Sequence, residues 1–169
     1  GQYKNAMVVA SCTYSRDTDP RDPLSFTVGD GAGAIIVGEV EPGYGRLGGT
    51  GFHTGQTCGA LYFENYARDD GSLWFRLLAS PEAGSILKDT AKETLQRAVR
   101  EALDDAKVSL GQIDAFVFNT PFAWYAKFCA RTLGIHPERT LNPYALYANT
   151  DSGRPTGQVD VRSPPARAW

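Results

Sequence analysis

Histidine is nearly absent, at two residues in 169, which excludes a multi-histidine metal site. Cysteine is scarce and odd in number, and Cys12, Cys58 and Cys129 form no CxxC pair. That pattern excludes a disulfide framework and a cysteine metal cluster, and a reduced cytoplasmic protein is the expectation. There is no surplus of one charge either. Seventeen Lys+Arg stand against nineteen Asp+Glu, a formal charge of −2, which leaves no basic footprint for nucleic acid. No apolar run approaches the ~18 residues of a membrane-spanning helix, and the opening GQYKNAMVVAS holds no secretory apolar segment. Neither nucleic acid nor membrane is an expected partner.

What is there is globular in character. A hydrophobic share of 42% beside a charged share of 21% argues against a disordered chain. The length fits one domain or one half of a larger one, able to bury roughly two-thirds of its unfolded surface.

Ala6–Ala10 reads as a buried strand, and Ser15–Pro23, dense in Asp, Arg and Pro, as a surface loop. Gly29-Asp30-Gly31-Ala32-Gly33-Ala34 reads as a loop that feeds a second core strand at Ile35–Val37, its small residues admitting close backbone approach. The glycine-rich stretch from Glu41 to Gly59 reads as turns and short strands. Asp69-Asp70-Gly71 marks a hairpin turn, with Leu73–Leu78 as the strand leaving it.

The clearest helix is expected to start at Ser80-Pro81, a cap followed by proline. It carries a stripe of Ala83, Leu87, Ala91, Leu95, Ala98, Ala102 and Ala106, and Ser109-Leu110-Gly111 is expected to close it. Pairs four apart (Glu93/Arg97, Arg97/Glu101, Arg100/Asp104) support its wet face. Ile113–Phe118 reads as a strand, Thr120-Pro121 as the start of a second helix ending at Gly134, and Thr140-Leu141 as a short strand. The class is therefore α/β. Asp151–Trp169, rich in Pro and Arg, has little apolar pattern and is expected to add little to a core.

Two amides stand out as chemistry. Asn119 sits at the carboxyl end of an expected strand just before a helix, where α/β layers gather ligands. Asn149 lies in the loop Tyr147-Ala148-Asn149-Thr150. Two amides facing one cavity can hydrogen-bond a carbonyl or a developing oxyanion, although asparagine at a strand end also serves simply as a cap. The Gly29–Ala34 run is not a phosphate loop, since it has neither GxxxxGK[ST] nor a glycine loop between strand and helix. His53 has no acidic neighbour to orient it, and His136 reads as surface. The cysteines read as small hydrophobes, and nothing basic adjoins Cys58 to make a thiolate. Trp124-Tyr125 reads as packing or as the lining of a substrate tunnel.

Taken together these pieces resemble the β-ketoacyl-acyl-carrier-protein synthase III family of the thiolase superfamily, from about Ala6 to Thr150. The carriers are Val8-Val9-Ala10-Ser11 with Arg16, then Gly29–Ala34, similar to the family's GDGAGA. Ala83-Gly84 at the long helix, Ile113-Asp114, and Tyr147–Thr150, similar to Y/H-G-N-T, complete them. The resemblance implies a thiolase-like layered α-β-α-β-α sandwich. Residues 1–40 would end the N-terminal half, 41–150 would form an incomplete C-terminal half, and 151–169 an atypical tail.

It further implies an acyltransferase that moves an acyl group from coenzyme A or a carrier protein through a Cys–His–Asn triad, in fatty-acid or polyketide biosynthesis. The implied partners are acyl carrier protein, a coenzyme A thioester, and either a second copy or a complementing N-terminal half. No cofactor is implied beyond acyl-CoA as substrate. In that resemblance the nucleophilic cysteine lies upstream, so Cys12, Cys58 and Cys129 do not inherit its role. Asn119 stands where the family has histidine, Phe122 where it has a substrate-contacting asparagine, Asn149 at the third triad position, and Gly84 near the pantetheine tunnel. An asparagine for histidine donates to an oxyanion but carries no proton, which favours plain acyl transfer over decarboxylative condensation. The chain alone is expected to be inactive, and a non-catalytic acyl-CoA or carrier-binding module is the rival reading.

Overall fold

The computed structural model describes residues 4–42 and 44–150; the Pro/Arg-rich tail at 151–169 lies outside them. Strands β1 (Asn5–Thr13) and β2 (Asp30–Gly38) pair antiparallel in continuous register, from Asn5↔Gly38 to Thr13↔Asp30. The Val8-Val9 and Ile35–Val37 runs supply the β-branched residues that suit a pleated surface. The expected loop at Gly29–Ala34 is strand from Asp30 onward, because Val9 to Thr13 run opposite and bond its backbone. The expected burial of Ala6–Ala10 is also corrected. Met7 is 65% exposed and its cross-strand neighbour Ile36 71%, while Val8 and Ile35, on the opposite face, are about half exposed. Apolar residues on both faces are the pattern of a strand covered on both sides, and among the described residues no layer lies over either.

The far end of the ladder anchors its neighbours. Helix α1 (Tyr14–Asp17) takes up part of the expected surface loop. Asp30, opposite Thr13, accepts hydrogen bonds from the Ser15 backbone N–H at 2.9 Å and the Ser15 hydroxyl at 2.5 Å. Its carboxylate thereby satisfies a free amide of the first turn. Asp19 receives Arg21 at 2.9 Å and lies 3.8 Å from Arg76. Hydrogen bonds from Arg21 hold Asp19 down at about 2.

Arg76 belongs to a hairpin of β3 (Leu61–Ala67) and β4 (Leu73–Ala79). Gly71 turns it at φ 81°, a left-handed conformation that favours glycine, and the Asp70 side chain accepts from the Ser72 N–H and hydroxyl. The Trp74 indole N–H donates to the Arg16 carbonyl at 2.6 Å, joining the hairpin to α1.

Helix α2 (Ala83–Ala106) starts later than Ser80-Pro81. Ser80 still belongs to the hairpin, its N–H donating to the Ala60 carbonyl, and its hydroxyl makes no cap. The helix closes at Lys107 in a left-handed conformation (φ 57°), ahead of the expected stop, with N–H groups folded back to Leu103 and Asp104. Ser109 instead opens a 3-10 turn through a reciprocal box with Gln112. Of the expected pairs, Arg97–Glu101 forms at 2.7 Å.

The expected strand at Ile113–Phe118 shortens to β5 (Phe116–Val117), parallel to β6 (Thr140–Leu141). Helix α3 (Tyr125–Leu133) ends at Gly134, as its glycine indicates, and α4 (Tyr144–Tyr147) is a single turn. Phe116, Ala130 and Ile135 form the buried cluster here, with Leu110, Ile113, Phe118 and Leu133 against it.

The glycine-rich stretch forms turns and no strand among its described residues. It reaches α2 at Gly48, where an added Cβ would lie 2.5 Å from the Ala106 nitrogen. No helix is long and apolar enough to cross a membrane among the described residues.

Gly48→Ala is expected to lower the thermal midpoint more than Gly51→Ala, because no atom lies within 4 Å of a Cβ at Gly51; thermal unfolding of the two variants checks this. The Ser15 hydroxyl, by bonding Asp30, holds its carboxyl below the usual range. The stabilisation from this bond is therefore complete above that range and is lost as pH falls through the folded value. Between about pH 5 and pH 3 the stability of the native chain declines more steeply than that of Asp30→Asn, measured by denaturant titration.

Candidate functional site

Asn149 is placed by the β1–β2 ladder. It forms a parallel bridge with Val28, its N–H donating to the Thr27 carbonyl at 3.1 Å and its carbonyl accepting from the Gly29 N–H at 2.8 Å. Gly29 is required for that approach, since an added Cβ would lie 2.7 Å from the Tyr147 carbonyl oxygen and 3.3 Å from the Thr150 methyl. Close backbone approach, the role expected of these small residues, is met at Gly29. Ala148, just before Asn149, has φ 53°, a conformation an L-residue adopts only under constraint. Asn149 itself is half-buried and Thr150 buried.

Asn119 is exposed, two residues past β5 and beside the fully buried Thr120. The second helix, expected from Thr120-Pro121, begins only at Tyr125. Phe122 and Trp124 explain the delay. Their rings stack at 5.6 Å and 7°, whereas helical positions two apart point to opposite sides and cannot stack. Trp124 is 56% exposed, and Tyr125 and Phe128 pack against it. The Asn142 amide donates to the Ala123 carbonyl and holds this turn against the segment after β6.

Gly84 lies exposed in the first turn of α2, with no atom within 4 Å of a Cβ built there. A groove of about 290 Å³ between Leu47, Val99 and Leu103, and another of about 390 Å³ beside Tyr66, Arg68 and Trp74, include none of Asn119, Phe122, Gly84 or Asn149.

The cysteines occupy three different environments. Cys129 is fully buried, and burial pushes its thiol up to about 11. Cys58 is exposed, and Cys12 is half-buried, donating to the Thr150 carbonyl at 2.8 Å. That last contact, across 138 residues of sequence, has no signal in the sequence. His53 and His136 are exposed. No cluster of three or more His, Cys, Asp or Glu suited to a metal ion occurs among the described residues.

Comparison with known proteins gives a consistent answer. The family profile of 3-oxoacyl-[acyl-carrier-protein] synthase III matches residues 1–56. The β-ketoacyl-[acyl-carrier-protein] synthase III of Staphylococcus saprophyticus is 29% identical over 160 residues, covering 90% of this chain and 46% of that protein. The protein of the same name from Fusobacterium nucleatum is 49% identical over 49 residues, 28% of this chain and 15% of its own. The solved synthase III of Thermus thermophilus superposes with a TM-score of 0.76 at 25% identity, over 89% of this chain and 47% of that one. For the Pseudomonas aeruginosa structure the values are 0.74 and 22%, over 89% and 46%. The chain thus spans about half the length of the proteins it matches.

Gly29→Ala is expected to destabilise the chain by roughly 1–3 kcal/mol, as overpacking against backbone does. Gly84→Ala should leave stability unchanged or slightly raised, because the site is open and alanine is the better helix former. Denaturant unfolding of both variants provides the check.

Proposed function

On the premise that the chain is a β-ketoacyl-acyl-carrier-protein synthase III-like protein of α/β thiolase-like fold, we propose that it supplies the amide side of an acyltransferase site. Asn149 carries this reading. The segment Thr27–Gly29, which leads into the strand that matches the family's glycine motif, forms a backbone bridge that fixes the main chain of Asn149. In the proposed reaction a cysteine thiolate attacks the thioester carbonyl of an acyl-coenzyme A or acyl-carrier protein and expels that carrier's thiol. The acceptor's hydroxyl, amine or thiol then attacks the acyl-cysteine, takes the acyl group and releases the cysteine thiol. At each acyl transfer the carbonyl oxygen gains negative charge, and the Asn149 and Asn119 amide N–H groups donate to it. Gly84 and Phe122 contact the pantetheine arm and the acyl group.

Asn119 is an amide where a histidine would shuttle a proton. It supports transfer to an alcohol, amine or thiol acceptor in fatty-acid or polyketide synthesis, rather than decarboxylative condensation. An amide also brings no titration of its own in neutral water. The nucleophile is assigned outside residues 1–169. Cys129 is buried, and Cys12 is engaged with Thr150. On this reading residues 1–40 and 41–150 belong to the two halves of one thiolase-like unit. The exposed apolar faces of β1 and β2 support a partner there, a complementing half or a second copy. No cofactor other than the acyl thioester is required.

The test joins this chain to the portion of the Staphylococcus saprophyticus synthase that it does not match, and follows thiol release from acetyl-CoA. The joined protein is expected to release coenzyme A, and Asn149→Ala to slow it by about 10²-fold or more. The chain alone should release none above background. Turnover by the chain alone, or a joined enzyme indifferent to both Asn149→Ala and Asn119→Ala, overturns the proposal. Binding of acetyl-CoA without any transfer in the joined protein identifies a binding module instead.

A further inference from the structure

The loop that carries Asn149 is constrained more tightly than an exposed turn needs to be. Ala148 is held at positive φ, and its N–H donates to the Tyr144 carbonyl at 2.8 Å. The Asn149 N–H and carbonyl are both bonded to the segment Thr27–Gly29. One position later, the Thr150 carbonyl is met by the Cys12 thiol at 2.8 Å, with the Gly29 carbonyl 3.6 Å from the same sulfur. Cys12 stands in β1 directly opposite Gly31, so its position is set by the ladder and not by the loop. A backbone segment fixed at 148, 149 and 150 fixes the direction in which the Asn149 Cα–Cβ bond leaves the chain. An alanine at positive φ persists only while its surroundings overdetermine it.

We propose that Cys12 is a positioning residue for Asn149. Its thiol holds the Thr150 carbonyl against the end of the β1–β2 ladder and so sets the direction of the Asn149 amide. The inference rests on the reading of Asn149 as an oxyanion donor, and it gives Cys12 a task other than nucleophile. Loss of the thiol leaves the carbonyl of a buried residue without this donor. The chain can then recover by letting Ala148 relax, which turns Asn149 away. Serine retains a donor at that place, so Cys12→Ser keeps the arrangement that Cys12→Ala loses.

Amide hydrogen exchange on the full chain tests this without any substrate. In Cys12→Ala the Gly29 and Asn149 backbone amides are expected to exchange about tenfold faster, and the Asn149 side-chain NH2 resonances to shift. Exchange at Met7 and Ile36 within the same ladder should be unchanged, and Cys12→Ser should restore native exchange at Gly29 and Asn149. If Gly29 and Asn149 keep native exchange rates in Cys12→Ala, the proposal is overturned. It is equally overturned if the whole ladder loosens to the same extent or the variant fails to fold, since Cys12 would then be a packing residue.

Kinetics of the joined enzyme separate this inference from the functional reading. With both correct, Cys12→Ala lowers kcat and leaves KM unchanged, and Cys12→Ser recovers it. The expected exchange effects in an enzyme indifferent to Asn149→Ala refute the acyl-transfer reading and leave the positioning role standing.

Discussion

Register at one end of the β1–β2 ladder is the constraint on which the molecule turns. Because Thr13 faces Asp30, the carboxylate that ends one strand holds the first turn of α1 on the other. Because Gly29 immediately precedes Asp30 and has no side chain, the Tyr147–Thr150 segment can lie directly against it. A slip of one residue would move Asp30 away from Ser15 and set a side chain in the path of the Tyr147 carbonyl. Helix α1 in turn receives Trp74 from the hairpin, so three parts of the fold take their positions from this corner.

The rest of the ladder presents a different problem. Met7, Val9 and Ile36 carry the apolar character of a layer interior, yet each is more than half exposed. Burial of an aliphatic side chain is worth about 1.5–3 kcal/mol, so such a surface is costly in water and favours whatever covers it. By contrast, the cluster around Phe116, Ala130 and Ile135 closes on itself through local helices and the short parallel pair β5–β6. The two regions match the two ways a sequence encodes a core, one satisfied within the chain and one not.

Much of this is legible in the residues. Gly134 marks the end of α3, Asp69-Asp70-Gly71 marks the hairpin, and the alanine stripe marks α2. These signals are local, and each is read from a few neighbouring residues. Helix starts depart from their local signals where tertiary bonds take the capping residue, as at Ser80, or where ring stacking displaces the first turn, as at Phe122. Burial of β1 is not legible, because composition indicates that a strand seeks cover and says nothing about where the cover comes from. β3 has a usable signal in Leu61–Tyr66 on the other side of the turn. At the candidate site the identity of Asn149 is visible through its motif, while its bridge to Val28 and the bond from Cys12 to the neighbouring Thr150 are not. Both join residues more than a hundred positions apart, and no local rule reaches that far.

The paired rings of Phe122 and Trp124 give the protein a built-in optical probe. An indole nearly parallel to an offset phenyl ring, with Tyr125 and Phe128 nearby and much of its surface open to water, emits according to what surrounds it. Trp74 has different surroundings, with Arg68 over its ring and its N–H bonded, so these two of the chain's three indoles should differ in colour and in accessibility to quenchers. With Trp74 and Trp169 replaced, events at the turn after Asn119 can therefore be followed by the fluorescence of Trp124 without an added label.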